Sequence, residues 1–313
     1  MTPDPLAFDD VLNQPMPPGA LVAEAIEHFG LHVDSIAAVH ESFSSTVRMI
    51  TLMSGECMIL KIPYVRIKLL RELRALEDLQ DLPVATVLDA WIRDDGGPGA
   101  MLLSVLPGAP IRGLVPSGLA REMGELLARL HTHRLDHFGE VSDQGEHHAS
   151  DWWEIMDARF EHWKPLCKPV MPDDLYRRTI ERYAKLRADL PEPDGPCWAH
   201  YDYRPANILV DIPSQVDKPR ITGLIDFESA RGGSADLDFV KVSHRVWDAV
   251  PGTKKAFCEA YAAVRPVPDV QHTLPYYRLH NAFGGIAWCV RRTDTTDPFF
   301  RENMALLQHE LHQ

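Results

Sequence analysis

Residues 198–211 read WAHYDYRPANILVD and residues 220–228 read RITGLIDFE, and both stretches interrupt the helical pattern of the second half of the chain. Each contains a short apolar run that is typical of a strand, with polar residues at its ends. These runs are residues 208–211 and 221–225. If the two strands pair as a hairpin, Asn207 and Asp226 meet at the same end of it. Amide and carboxylate oxygens suit Mg²⁺, so the sequence predicts a metal site there.

The first third of the chain has the pattern of a β-sheet, whereas helical spacing dominates from Ser117 onward. Strands are predicted at residues 45–52, 57–62, 91–92 and 101–106, with Ser54 and Gly55 turning the chain between the first two. Helices are predicted at residues 68–79, from Ser117, and at about 150–190, 235–263 and 274–292. The fold class is therefore α+β, with a β-rich lobe at residues 1–105 and an α-rich lobe at residues 106–313.

Composition excludes several classes of protein. The formal net charge of −13 disfavours a nucleic-acid-binding surface, which needs clustered Lys and Arg. The five cysteines are widely spaced without a CxxC pair, so neither a disulfide framework nor a zinc site is indicated. The acidic, proline-rich first residues lack the features of a secretory signal, and no stretch has the length of a membrane span. A cytoplasmic protein with no nucleic-acid or membrane partner is expected, and the oligomeric state stays open.

One charged residue in the predicted sheet needs a partner. Lys61 lies in an otherwise apolar strand, where an unpaired ammonium group would be costly. On the following predicted helix, Glu72 shares a face with Leu69 and Leu76, which directs its carboxylate toward the sheet. We expect Lys61 to pair with Glu72, and Glu77 is the rival partner.

The spacing from His200 through Asp202 to Asn207, followed by a strand, a turn and Asp226 within Ile-Asp-Phe, resembles the aminoglycoside phosphotransferase and choline kinase superfamily. That resemblance implies a protein-kinase-like, two-lobe fold. It also implies a small-molecule kinase that uses ATP, or alternatively GTP, with Mg²⁺ and a small-molecule hydroxyl acceptor. Further matches are Leu60-Lys61-Ile62, Arg71-Glu72-Leu73, Leu130-His131, Phe138-Gly139, Gly233 and Asp238.

The resemblance also implies roles for the catalytic loop. Asp202 is expected to accept a hydrogen bond from the acceptor hydroxyl and to aim it at phosphorus, which is the main work left to a protein in phosphoryl transfer. Arg204 is expected near the γ-phosphate, and a guanidinium group suits phosphate geometry. His200 is expected to brace the loop rather than to carry a proton. Asn207 and Asp226 are expected to hold the metal.

In the first lobe, the resemblance assigns Lys61 to the α- and β-phosphates, with Glu72 as its partner. No glycine-rich loop precedes that strand, so Ser44 and Ser45 and the nearby backbone amides are expected to cover the phosphates. Two positions depart from the family pattern. Tyr201 stands where the family usually has Gly, and Ser234 where it often has Asp.

Several alternatives stay open at this point. Glu228 and Asp238 each suit either a second metal contact or a structural cap. A catalytically silent nucleotide-binding module and a metal-dependent phosphodiesterase are the other candidate functions. If the acidic composition reflects a cationic acceptor, acidic residues should line the acceptor site beside Asp202. Those candidates are Asp151, Glu154, Asp157, Asp294 and Asp297. The histidines at 131, 133, 147 and 148 are expected at the surface or at helix ends.

Overall fold

The computed structural model describes residues 18–41, 44–141, 148–149, 151–211 and 219–312. Its first part is a five-stranded antiparallel sheet in the order β1-β2-β3-β5-β4. The strands are β1 (Val33–Glu41), β2 (Ser45–Leu52), β3 (Cys57–Pro63), β4 (Val87–Trp91) and β5 (Ala100–Leu103). Two helices accompany them, α1 (Pro18–His28) and α2 (Arg66–Asp78). Gly55 adopts a φ of 87° in the turn between β2 and β3, as its predicted position there requires.

Two elements of this part were not predicted from the sequence. The α1 helix packs Leu21 and Ala25 against Ile50 and Leu60 of the sheet. The β1 strand is mostly exposed along its length, so it lacks the apolar alternation that identifies a half-buried strand.

The remaining chain is mainly helical, which confirms the predicted α+β class. The helices are α3 (Ser117–Leu130), α4 (Trp152–Cys167), α5 (Asp173–Ala188), α6 (Phe239–Val242), α7 (Thr253–Ala262), α8 (Val270–Arg292) and α9 (Pro298–Glu310). The α9 helix was not predicted. The predicted stretch at 150–190 is two helices, because a short turn at Lys168–Val170 separates α4 from α5. No helix in the described ranges has the length and apolar character that crossing a membrane requires.

Short strands support the loops that carry the candidate site. They are β6 (Ala109–Pro110), β7 (Phe138–Gly139), β8 (His148–Ala149), β9 (Cys197–Ala199), β10 (Ile208–Asp211), β11 (Arg220–Leu224) and β12 (Arg231–Gly233). The β10 and β11 strands pair antiparallel with Ile208 opposite Leu224, which confirms the predicted hairpin. The Ile225 amide donates to the Asn207 carbonyl oxygen at 3.0 Å, so the two predicted metal ligands lie at the same end of that hairpin.

Apolar packing joins the two predicted lobes. One core cluster contains Leu69 of α2 and Met101 of β5 together with Leu127 of α3 and Phe227. A second cluster lies among α4, α5, α8 and α9, and a third lies between α1 and the sheet. The division at residues 105 and 106 falls in the connection between β5 and β6 and stays a prediction.

The contact of α3 with α7 gives a test of this packing. A Cβ atom on Gly124 of α3 would lie 2.2 Å from the Phe257 carbonyl oxygen of α7, so Gly124→Ala should force the helices apart. We expect a loss of about 1–3 kcal/mol in the free energy of unfolding, which is the usual cost of overpacking. The melting temperature from calorimetry should fall by several degrees.

Gly118→Ala is the matched control, because a Cβ atom at Gly118 on the same helix meets no atom within 4 Å. That substitution should be neutral or slightly stabilising, since alanine favours helix more than glycine does. Equal melting temperatures for the two variants would contradict the close approach of α3 and α7.

Candidate active site

Lys61 is the buried cation on which the site is built. It lies on β3 with 5% exposure, and its Nζ is 2.7 Å from Glu72 Oε2 on α2 and 2.7 Å from Asp226 Oδ1 after β11. The predicted pairing with Glu72 is confirmed, and the rival Glu77 is exposed on the other side of α2. Because a buried ammonium group is costly without partners, this contact set fixes β3, α2 and the end of β11 relative to one another.

Acidic groups outnumber cations around Lys61. Glu228 lies 3.8 Å from Lys61, and its other carboxylate oxygen accepts a hydrogen bond from Lys68 Nζ at 2.9 Å. Burial raises the pKa of Glu72 to about 7, although the Lys61 ammonium opposes that shift. Burial would also raise the pKa of Asp226, but Lys61 overcomes it and lowers this pKa to about 2. The carboxylates of Glu72, Asp226 and Glu228 therefore share the ammonium groups of Lys61 and Lys68. Sequence reasoning missed Lys68.

The donor atoms at this point suit a hard cation. Carboxylate oxygens of Glu72, Asp226 and Glu228 lie within 4.8 Å of one another. Asn207 precedes the paired strand, and its Nδ2 faces Asp202, which leaves its Oδ1 as the atom that could face a metal. Oxygen ligands of this kind, completed by water and substrate phosphates, are what Mg²⁺ takes. The residues present fit the predicted metal.

The loop that carries Asp202 is braced by His200, which is fully buried. Its Nε2 lies 3.1 Å from the Ile225 carbonyl oxygen, and its Nδ1 accepts a hydrogen bond from the Asp202 amide at 3.3 Å. The imidazole thus connects the loop that carries Asp202 to the strand end that precedes Asp226. Both ring nitrogens are engaged by the backbone, which is the geometry of a bracing residue.

Asp238 holds the same loop from the other side. Its carboxylate, which is buried, accepts hydrogen bonds from the His200 and Tyr201 amides, both at 2.7 Å. His131 Nε2 lies 3.2 Å from that carboxylate, and His131 Nδ1 lies 2.9 Å from the Tyr261 hydroxyl. Asp238 is therefore a loop support. His131 lies at the end of α3, and both of its ring nitrogens have buried partners. The predicted surface position of His131 is therefore wrong.

Backbone strain is concentrated at this site. Across the described ranges, Tyr201 and Asp226 are the only residues other than glycine with positive φ, at 64° and 72°. Tyr201, which stands at the usual Gly position, keeps the left-handed conformation at a cost of roughly 1–2 kcal/mol. The guanidinium groups of Arg159 and Arg231 lie 5.1 and 4.8 Å from the centre of its ring, and such contacts help to hold it.

The Asp202 carboxylate is surrounded by donors. Its Oδ2 accepts hydrogen bonds from Asn207 Nδ2 at 2.9 Å and from Arg204 Nε at 3.0 Å, and its Oδ1 accepts one from Lys241 Nζ. Burial would raise the pKa of Asp202, but Lys241 and Arg204 hold it below its ordinary value. The carboxylate is therefore ionised and able to accept a further hydrogen bond. Lys241 was not predicted, because no motif spacing connects it to a residue 39 positions earlier.

The predicted phosphate-covering residues are only partly within the described chain. Ser45 begins β2 and is buried, and the carbonyl oxygen of Ser44 accepts a hydrogen bond from the Tyr64 amide at 2.8 Å. Residues 42 and 43 of the same stretch lie outside the described residues, as does His147. The roles of Ser44 and Ser45 stay predictions.

Comparisons with known proteins agree with this geometry. A family model described as the phosphotransferase enzyme family matches residues 36–270. No curated protein matches the chain in sequence. Among solved structures, aminoglycoside phosphotransferase APH(4)-Ia in a ternary complex with AMP-PNP and hygromycin B has a TM-score of 0.69 at 16% identity, covering 93% of this chain and 97% of that chain.

Two further structures show the same fold at similarly low identity. The GDP and kanamycin complex of APH(2″)-IIIa has a TM-score of 0.69 at 14% identity, covering 93% of this chain and 97% of that chain. Macrolide 2′-phosphotransferase type I has a TM-score of 0.64 at 16% identity, covering 92% and 96%. Because the family model spans the sheet, the catalytic loop and the Asp226 segment, the chain belongs to the phosphotransferase enzyme family.

Proposed function

We propose that this chain transfers the γ-phosphate of ATP, in the presence of Mg²⁺, to a hydroxyl group of a small molecule. The observation that carries the proposal is the shared end of the β10–β11 hairpin. It brings Asp226, which contacts the buried Lys61, beside Asn207, which contacts the ionised Asp202. The proposed nucleotide-binding cation, the two proposed metal ligands and the proposed base thus lie in one continuous set of contacts.

The proposed nucleotide site combines the Lys61 group with the start of β2. Lys61, positioned by Glu72, would bind the α- and β-phosphates, and Ser44 and Ser45 would cover them. Asn207 and Asp226 would hold Mg²⁺, which when bound neutralises charge on the phosphates. AMP-PNP and GDP occur in the similar structures of other family members, so ATP is proposed first and GTP is its competitor.

The proposed chemistry needs little from the protein beyond placement. Asp202 accepts a hydrogen bond from the acceptor hydroxyl and directs its oxygen at the γ-phosphorus. A new oxygen–phosphorus bond forms as the bond between the γ-phosphorus and the bridging oxygen breaks, and ADP leaves with that electron pair. The hydroxyl proton passes to Asp202 and then to solvent. Arg204 stabilises charge on the transferred group.

In this proposal residues 1–105 form the nucleotide-binding lobe and residues 106–313 form the catalytic and acceptor lobe. The hinge would then lie between β5 and β6, and the segment near Ser104 would contact the base. A cytoplasmic location fits the proposed use of ATP.

Nucleotide binding is tested first by thermal stability. ATP with Mg²⁺ should raise the melting temperature, because any ligand selective for the native state stabilises it. In Asp226→Ala the Mg²⁺-dependent part of this shift should be lost, since that substitution removes a proposed metal ligand. Asp174→Ala, at an exposed aspartate on α5, is the matched control and should keep the full shift. GTP measured in parallel decides between the two nucleotides.

A folded sample that shows no shift at millimolar ATP or GTP would exclude this proposal. A full Mg²⁺-dependent shift in Asp226→Ala would show that the metal is held by other residues.

The role of Asp202 is tested by turnover. With an acceptor found by a coupled ADP-release screen, Asp202→Asn should lower kcat by about 10²–10⁴, the range expected when a general base is lost. Asparagine is nearly isosteric, so the melting temperature and the ATP-induced shift should change little. His200→Ala should instead lower the melting temperature, because it removes the brace between the catalytic loop and Ile225. Turnover by Asp202→Asn within a few-fold of the parent would rule out Asp202 as the base.

A further inference from the structure

Two cations contact the single carboxylate of Asp202. Lys241 Nζ bonds Oδ1 and Arg204 Nε bonds Oδ2, so the ionised base is flanked on both oxygens. Considering only the described part of the chain, Asp202 is the one carboxylate within ion-pairing distance of either cation. The groups in direct contact with the proposed base are thus two cations for one carboxylate, although the protein as a whole is acidic.

Lys241 is accessible to a ligand. Its side chain lies on α6 and is 32% exposed, compared with 18% for Asp202. A lysine ammonium group has three donors, and the contact with Asp202 uses one of them. The other two can bind an incoming anion without loss of the Asp202 contact. Arg204, if it binds the γ-phosphate as proposed, leaves Lys241 as the cation on the acceptor side.

The acidic residues expected to attract a cationic acceptor have other roles. Asp151 accepts a hydrogen bond from the Trp153 amide as the cap of α4, and Asp297 accepts one from the Phe299 amide as the cap of α9, both at 2.8 Å. Asp157 binds the Tyr183 hydroxyl at 2.7 Å and Arg187 at 3.2 Å. Asp294 accepts hydrogen bonds from Thr296, and Glu154 is exposed on α4. Four of these five carboxylates are thus used in local structure.

We propose that Lys241 is a specificity-determining residue that binds an anionic group of the acceptor, and that the natural acceptor is a hydroxy acid or a similarly anionic alcohol. This inference rests on the proposed kinase function and names the substrate class for that same site. The acceptor hydroxyl would bind Asp202 while its carboxylate or other oxyanion binds Lys241. Three hydrogen bonds of about 2.9 Å each span at most about 9 Å, a distance that one small molecule can bridge.

The phosphoryl-transfer chemistry is unchanged by this role. The acceptor oxygen still forms the bond to phosphorus, ADP still leaves, and the proton still passes to Asp202. Lys241 contributes by orienting the acceptor so that its hydroxyl, rather than water, reaches Asp202. Neutralising the anion also reduces its repulsion by the nucleotide phosphates.

The test compares matched acceptors that differ in charge. ADP release is measured with glycerate and glyceramide, lactate and lactamide, and malate and malamide, with choline and kanamycin as cationic acceptors. We expect the parent protein to prefer each acid over its amide by about 10- to 100-fold in kcat/KM, the value of one hydrogen bond to a charged group. Lys241→Met should reduce that preference to near unity, and Lys241→Arg should restore most of it.

Lys255→Met is the matched control, because that lysine is 82% exposed on α7 and, within the described residues, its ion pair is with Glu259 on the same helix. It should keep the parental preference. Preference for amides or cationic acceptors in the parent overturns the proposal. Equal losses for acids and amides in Lys241→Met also overturn it, because they indicate a contact with the γ-phosphate instead.

A binding measurement covers the case in which the true acceptor is outside this set. With AMP-PNP and Mg²⁺ bound, the hydroxy acids should raise the melting temperature of the parent more than their amides do, and Lys241→Met should remove the difference. Absence of both turnover and stabilisation with every hydroxy acid overturns the anionic-acceptor proposal. The kinase proposal fails separately, through absence of any nucleotide-induced shift.

Discussion

The arrangement of this site depends on burying the Lys61 ammonium between two parts of the chain. Its carboxylate partners come from α2, through Glu72, and from the segment after β11, through Asp226. Buried ion pairs contribute little net stability, because desolvation offsets the attraction, whereas loss of one partner leaves an unpaired charge that costs about 3–5 kcal/mol. Such a group constrains geometry more than it stabilises the fold. The strand, the helix and the hairpin end must all be in place for Lys61 to be tolerated.

The same hairpin end places strain where the proposed chemistry occurs. Asp226 and Tyr201 both adopt left-handed backbone conformations, and each is held by buried polar contacts. Asp238 accepts from the Tyr201 amide, while Lys61 binds the Asp226 side chain. Strained residues persist only when their surroundings over-determine them. His200 joins the two strained segments through the Ile225 carbonyl, so Asp202 and the proposed metal ligand Asp226 are positioned together.

Sequence reasoning succeeded where the determining contacts are local. Strand-like runs identified β2 and β3, and the apolar runs identified the β10–β11 hairpin. Helical phase directed Glu72 toward the sheet, and the resemblance to the family favoured Glu72 over Glu77. It failed where partners are distant in the chain. Lys68 meets Glu228 across 160 positions, and neither local period nor residue type indicates that contact. The β1 strand was missed for a different reason, since an exposed edge strand buries no face and so shows no alternation.

The net charge of the chain does not describe the direct contacts of Asp202, because two cations touch that one carboxylate. Asp151 and Asp297 cap helices, and Asp174 pairs with Arg177 one turn away on α5, so these carboxylates have local partners. The cations in direct contact with Asp202 are Arg204 and Lys241. Proteins of similar fold are named for aminoglycosides and for macrolides, so a shared fold does not imply a shared acceptor. Under the proposed function, the groups that touch Asp202 would select the acceptor, and the charged ones in the described part of the chain are the cations Arg204 and Lys241.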